Sequence, residues 1–359
     1  MKKIAIITLN GYFNYGNRLQ NYALEKTLEK MDYKVETIKI ERRPNKRSLM
    51  NSYARKIYHF IKFLIPGSKY KTNQRREKYF KDFSLHYINE TKKTYEITEN
   101  LSSLRNIYDA FVIGSDQVWN PSMNRLSSAF FAQFANQNQR NTYAASFGVT
   151  ELGENEKNKY KKWINEIPNI SVREQGGADL IKELTGREVP VHVDPTMLLT
   201  KEEWLQIGKP APKTDKEFLL TYFLGGIPEE YRNQINRIAE DYNLNIINLG
   251  DNNDYTIYET GPSEFIDYIH NCKVFCTDSF HGVAFSILLE KDFIVFERQG
   301  GANMNSRIET ILEKFALLNR TNDIVNETGD IFNTDYRDVA KILESERVKS
   351  INYLSNILP

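Results

Sequence analysis

Polar side chains crowd into four short stretches, each continuing a run of apolar residues. Asn10-Gly11-Tyr12-Phe13-Asn14-Tyr15-Gly16-Asn17 follows the run from Ile4 to Leu9, and Gly114-Ser115-Asp116-Gln117-Val118-Trp119-Asn120-Pro121 follows that from Ala110 to Ile113. Ser171-Val172-Arg173-Glu174 closes another run, and Thr277-Asp278-Ser279-Phe280-His281-Gly282 follows Val274 to Cys276. If the runs are strands of parallel sheets, these stretches stand at the carboxyl ends, where such sheets bind ligands.

The fourth stretch carries the strongest signal. A strand, a polar turn and a helix beginning near His281 set an imidazole and the backbone donors of Ser279 and Gly282 over an anion site. Imidazole titrates near neutrality, which suits His281 to pass a proton to or from a substrate. Arg173 is placed either to grip a carboxylate or phosphate bidentately or to pair with Glu174. Arg298 and Arg307, beyond the final apolar run, add positive charge to the same cleft. In the first loop, Asn14, Gly16 and Asn17 at a helix N-terminus suit phosphate or sugar hydroxyls, or a plain tight turn. Ser115 and Asp116 beside Trp119 have the composition of a carbohydrate site. Asp116 suits removal of a proton from an acceptor hydroxyl, and equally the capping of a helix. Asp194, ahead of Pro195, reads as a residue that shapes an interdomain turn. Neither Arg173 nor His281 reads as core, so alanine at either is expected to spare the melting temperature.

The elements that would position these residues alternate along the chain. Leu19, Tyr22, Ala23 and Leu28 recur at helical spacing behind the first run, and Val35 to Ile40 returns to strand. Thr142 to Ser146, Ile170 to Val172 and Val189 to Val193 read as further strands. After the proline-bearing 208–216 segment, Phe218 to Leu224, Ile246 to Leu249, Val274 to Cys276 and Phe293 to Phe296 give a second set. Helical patterns fall at 228–241, 262–270, 281–290 and 305–316, with a last one over about 335–356. Such alternation predicts an α/β protein of two Rossmann-like domains, 1–207 and 208–334, with a C-terminal helix, 335–359, crossing back to the first.

Composition narrows the function classes. The 359 residues are 40% hydrophobic and 26% charged, as in soluble globular proteins, and their number favours two domains. Forty-eight Lys and Arg stand against 47 Asp and Glu, so overall charge nominates no nucleic acid. One segment departs from this balance: residues 42–81 carry thirteen basic residues and one acid. Within it, Ile57, Phe60, Ile61 and Leu64 share one helical face, which suits an ordinary core face, an anionic membrane surface or a polyanion. The two cysteines, Cys272 and Cys276, form neither a disulfide scaffold nor a zinc set and read as thiols of a reducing cytosol. The six-residue run at the N-terminus is too short for a signal peptide, and no run approaches the roughly 20 apolar residues of a membrane span. The expected location is cytoplasmic. Neither a G-x-S-x-G elbow nor a GxGxxG loop is present, and no metal cluster is evident.

Taken together, NYGNRLQNYAL (14–24), GSDQVWNP (114–121), AASFG (144–148), SVRE (171–174), HVDPTMLL (192–199) and DSFHG (278–282) resemble the polysaccharide pyruvyl transferase family. The resemblance implies a fold similar to the GT-B glycosyltransferases, with the first domain on the acceptor side and the second on the donor side. It implies transfer of pyruvate from phosphoenolpyruvate, a donor substrate rather than a cofactor, onto hydroxyls of a cell-surface glycan or its lipid-linked precursor. A ketal and phosphate result. The family's histidine maps to His281 and the arginine of its SxR motif to Arg173. Many members place another arginine two positions before the histidine, where this chain has Ser279; Arg298 or Arg307 are the candidates to replace it. Two rival readings share the fold: a nucleotide-sugar glycosyltransferase, with Glu259 or Glu264 as ribose ligand, and a non-catalytic glycan-binding or assembly subunit. An insert at 42–81 would let a soluble enzyme rest on an anionic inner membrane face.

Overall fold

The computed structural model describes residues 1–41, 69–121, 127–212, 216–251, 253–298 and 306–359. Its first half winds through β1 (Lys3–Ile7), α1 (Tyr15–Lys30), β2 (Lys34–Glu41), α2 (Lys69–Tyr87), β3 (Glu90–Glu96), β4 (Ala110–Ile113), β5 (Arg140–Thr142), α3 (Glu154–Asn165) and α4 (Gln175–Thr185). Five parallel strands form one sheet in the order β3-β2-β1-β4-β5. The second half follows with α5 (Lys201–Ile207), β6 (Phe218–Tyr222), α6 (Glu229–Asp241), β7 (Asn245–Asn248), α7 (Tyr255–Tyr258), α8 (Pro262–Asn271), β8 (Val274–Thr277), α9 (Phe280–Leu289), β9 (Phe293–Val295), α10 (Ser306–Lys314), α11 (Asn322–Thr328) and α12 (Val339–Ile357). Its four strands are also parallel, ordered β7-β6-β8-β9. This is an α/β fold of two Rossmann-like sheets.

The central strands are apolar on both faces because helices cover both. Ile4 to Ile7, Ala110 to Ile113 and Val274 to Cys276 are all buried. One apolar cluster runs without a break from Ile4, Leu19 and Leu28 of the first half to Leu220, Phe265, Phe285 and Phe293 of the second. Trp204 of α5 sits in that seam, its ring 5.7 Å from Tyr22 and 4.9 Å from Phe285. The C-terminal helix does cross back. From α12, Arg347 donates to the carbonyls of Met197 (2.8 Å) and Leu199 (2.7 Å), and Tyr353 to that of Thr142.

Differences from the expected elements have local causes. Ile170 to Val172 and Val189 to Val193 make only isolated bridges, Ala145 to Val172 and Val172 to Val191, so they extend the sheet without becoming ladders. β3 escaped notice because ETKKTYE is polar; it is an edge strand, and exposed Lys residues are what an edge carries. The amphipathic pattern at 52–67 lies outside the described residues, as does the rest of the basic insert up to 68. Its continuation, from Lys69, belongs to α2.

Candidate active site

Each sheet reverses its strand order once, between β1 and β4 and between β6 and β8, and a doubly wound sheet opens its crevice at such a point. The four polar stretches meet there, through Gly16 and His281, Asn17 and Asp116, and Arg173 and Asp116. Helix α9 begins at Phe280 because the Ser279 side chain caps it, its Oγ accepting the Gly282 N–H at 3.3 Å. Gly282 is required by packing: a Cβ there would lie 2.8 Å from Thr277 Oγ1. The cap therefore delivers His281 in the first turn, where its ring lies against Gly16 at the start of α1. A Cβ on Gly16 would come within 1.9 Å of His281 Nδ1, so only glycine allows this approach.

Asp194 joins the remaining stretches. Its Oδ1 accepts from the Thr196 N–H (3.0 Å) and hydroxyl (2.9 Å), which shapes the turn as its sequence context suggests. Its Oδ2 accepts from Arg173 Nη1 at 2.6 Å and from Ser115 Oγ at 3.1 Å, and faces His281 Nε2 at 3.6 Å. This second role has no local signal in the sequence beyond the fact that a carboxylate capping with one oxygen keeps the other for a distant partner. Arg173 lies wholly buried over the ring of Phe280 (4.4 Å), with Asp116 3.6 Å and Glu174 3.9 Å away. The expectation that Arg173 and His281 lie outside the core fails for both, because each is buried. The charge of Arg173 is spent on protein carboxylates: the pairing alternative describes its setting.

Asp116, at φ +61°, is buried and accepts from Asn17 Nδ2 at 3.1 Å. Asn14 caps α1 by accepting the Asn17 N–H, and Asn17 Oδ1 holds the Gly11 N–H at 3.0 Å. The first loop thus works as scaffold for Asp116 and His281. Trp119 stands apart and corrects the carbohydrate reading: its ring stacks on Phe131 at 5.2 Å inside the core, leaving no face for a sugar. Arg298 is engaged by Asp278, donating from Nε to Oδ2 (3.0 Å) and from Nη2 to the backbone carbonyl. The same carboxylate takes the N–H groups of Leu224 and Gly225, so Arg298 braces the loop behind β6. Arg307 of α10 is buried within reach of the charges of Arg173, Glu174 and Asp116. Of the rival ribose ligands, Glu259 pairs with Arg75 and Glu264 caps α8 through the Gly261 N–H.

The electrostatics follow from burial and this pairing. Burial opposes ionisation of Asp194, yet His281, Arg173 and the Thr196 N–H outweigh it and hold the carboxyl well below its usual range. Burial also opposes charge on Asp116, but Arg173 and His281 win and hold it low. Burial, then Arg173, push the Arg307 guanidinium down to about 10. His192, in the same motif as Asp194, is pushed by burial to about 4 and is neutral. Beside Arg173, Asp194, Phe280 and Thr310 the packing leaves a void of only ≈ 10 Å³. A larger cleft of ≈ 440 Å³ runs along β7 past Arg232, Asn248 and Asp251, and contains none of these groups. Among the described residues, no His, Cys, Asp and Glu group is arranged to hold a metal ion, and no helix is long and apolar enough to cross a membrane.

Solved structures share the architecture at low identity. Arabidopsis thaliana UGT89C1 complexed with UDP-L-rhamnose superposes with a TM-score of 0.52 at 8% identity, over 99% of both chains. UDP-GlcNAc 2-epimerase from Methanocaldococcus jannaschii gives 0.51 at 12%, over 96% of this chain and 99% of that one. At such identities the likeness is one of fold. No curated protein matches the sequence. The family model described as polysaccharide pyruvyl transferase matches residues 14–300, a span that contains Gly16, Asp116, Arg173, Asp194 and His281, and the chain belongs to that family.

Proposed function

We propose that this protein transfers pyruvate from phosphoenolpyruvate to two hydroxyls of a cell-surface polysaccharide or its lipid-linked precursor, at the cytoplasmic side of a membrane. The observation that carries the reading is the convergence of His281, Asp194, Arg173 and Asp116, drawn from both halves, on one buried site within the family-matched span. Residues 1–207 serve the acceptor and 208–334 the donor, with 335–359 strapping them together.

His281 donates a proton to the methylene carbon of phosphoenolpyruvate, which becomes the methyl group and leaves an oxocarbenium-like centre at C2. One sugar hydroxyl bonds to C2 and returns its proton to His281; a second then displaces phosphate and closes the ketal, its proton leaving with the phosphate. Asp194 faces His281 Nε2 and steadies the imidazole, as an ionised partner does for a proton-transferring histidine. Asp116 lies on the acceptor side as an ionised carboxylate. Because it is held low, it serves better to attract the positive centre than to take a proton at neutral pH. Arg307 supplies charge for the donor's anionic groups in place of the arginine that Ser279 replaces.

Incubation with phosphoenolpyruvate and an acceptor glycan tests this. The expected result is phosphate release with a glycan heavier by one pyruvate less one water. Thermal shifts separate the rivals: stabilisation by phosphoenolpyruvate alone supports pyruvyl transfer, and stabilisation by UDP or a UDP-sugar alone would replace it with glycosyl transfer. Silence from both, with no product, would leave a glycan-binding subunit.

A further inference from the structure

We infer that Arg76 is a positioning residue for pyruvyl transfer, holding Tyr15 and Gly16 against the second half of the molecule so that His281 keeps its place. The inference rests on the proposed role of His281. Arg76 belongs to α2 and is buried, although it lies in the most basic part of the sequence. Its Nη1 donates to the Tyr15 hydroxyl at 2.8 Å and to the Tyr258 carbonyl at 2.7 Å, and its Nη2 to the Phe13 carbonyl at 3.3 Å. One guanidinium thus ties α2 and the loop before α1 to the segment before α8, in the other half.

The aromatic rings around it say why the fork matters. Arg76 Cζ stands 4.6 Å from the centroid of Tyr15, 4.7 Å from Tyr258 and 5.2 Å from Phe80. Tyr15 is itself stacked between Phe265 of α8 (4.4 Å) and Phe80 of α2 (5.2 Å), with Tyr222 at the end of β6 against it. The first residue of α1 is therefore a plug from one half set into the other. Its neighbour is Gly16, whose approach to the His281 ring leaves no room for a methyl group, and one further on is Asn17, which holds Asp116. A shift of Tyr15 by a fraction of an ångström would reach His281 and Asp116 together. Lysine carries three donors but on a single nitrogen, and so could not span the acceptors that Nη1 and Nη2 reach from two corners of a planar fork.

The test separates this role from general stability and from the chemistry itself. Selective ¹⁵N labelling of histidine in the full chain gives signals from five residues, of which His281 is assigned by its loss in His281→Ala. In Arg76→Lys and in the milder Tyr15→Phe, which removes only the hydroxyl acceptor, the His281 signal is expected to move while those of His86 and His192 stay. This reading needs no substrate, so it stands or falls apart from pyruvyl transfer. With phosphoenolpyruvate and acceptor, Arg76→Lys is expected to lower kcat about 10-fold or more with little change in KM. Gly16→Ala displaces the ring directly, so adding Arg76→Lys to it should cost little more. An unmoved His281 signal in both variants, or losses that multiply between Arg76→Lys and Gly16→Ala, would overturn the inference.

Discussion

At the scale of single residues, His281, read as the proton donor, and Arg173, read as the anion ligand, part company. His281→Ala removes a side chain at the meeting of two halves and is expected to lower kcat by about 100-fold or more, the loss typical of a missing proton-transfer group. Its fold should survive, which circular dichroism checks. Arg173→Ala is a different experiment, because Asp116, Glu174 and Asp194 would be left facing one another in the core. Removing one partner from a buried ion pair costs about 3–5 kcal/mol. Its loss of activity should therefore come with a clear fall in denaturation midpoint; a variant that keeps both midpoint and activity would contradict the pairing of Arg173 with these three carboxylates.

At the scale of elements, two helices carry distinct expectations. Ser279 caps α9 and is buried, so Ser279→Arg should cost about 1 kcal/mol for the lost cap and more for the packing an arginine displaces. Calorimetric titration should nevertheless show tighter phosphoenolpyruvate binding. Weaker binding by a folded variant would mean that the site is built for another anion. In α1, Glu25 is buried and its two oxygens share the Asn89 N–H at 2.9 and 3.1 Å. Burial pushes its carboxyl up from 4.5 to about 8. A raised value means that the folded state holds the proton more tightly than the unfolded one. Stability from this group is thus complete below pH 4.5 and is lost as pH rises toward 8, by at most about 1.4 kcal/mol per pH unit. Glu25→Gln should flatten that limb, so that chemical denaturation at pH 8 finds the variant no less stable than the parent.

At the scale of the whole molecule, charge is segregated. Residues 42–81 carry +12, leaving −11 on the rest of a chain whose total is +1. Anionic lipid contributes about 1 kcal/mol per nearby Lys or Arg, so even a handful of contacts would hold the protein to a membrane face. We expect sedimentation with anionic but not neutral vesicles, weakened by salt and by Lys/Arg→Gln changes across 55–81, Arg76 excepted because it is buried in the α2 clamp. Protein that stays in the supernatant with both lipids at low salt would rule out membrane docking through this segment.

The order of strands and helices was legible in the chain because each is a local pattern. Apolar runs of four to eight residues alternate with helical spacing, and a polar turn closes each central strand. Where the pattern failed, as at β3, the strand lies at an edge, and water rather than a core set its composition. The candidate residues were legible for the same reason, since strand ends are where side chains leave the sheet. What the sequence left open was partnership. Whether Arg173 meets a ligand or a carboxylate depends on Asp194, twenty-one positions away and read only as a turn former. Trp119 looks like a sugar platform until Phe131 covers it, and Arg76 looks like one more surface charge until Tyr15, Phe80 and Tyr258 enclose it. Burial and long-range pairing are properties of the packed molecule: a charge is paired or exposed according to what the fold brings beside it, and residues far apart in the chain decide that.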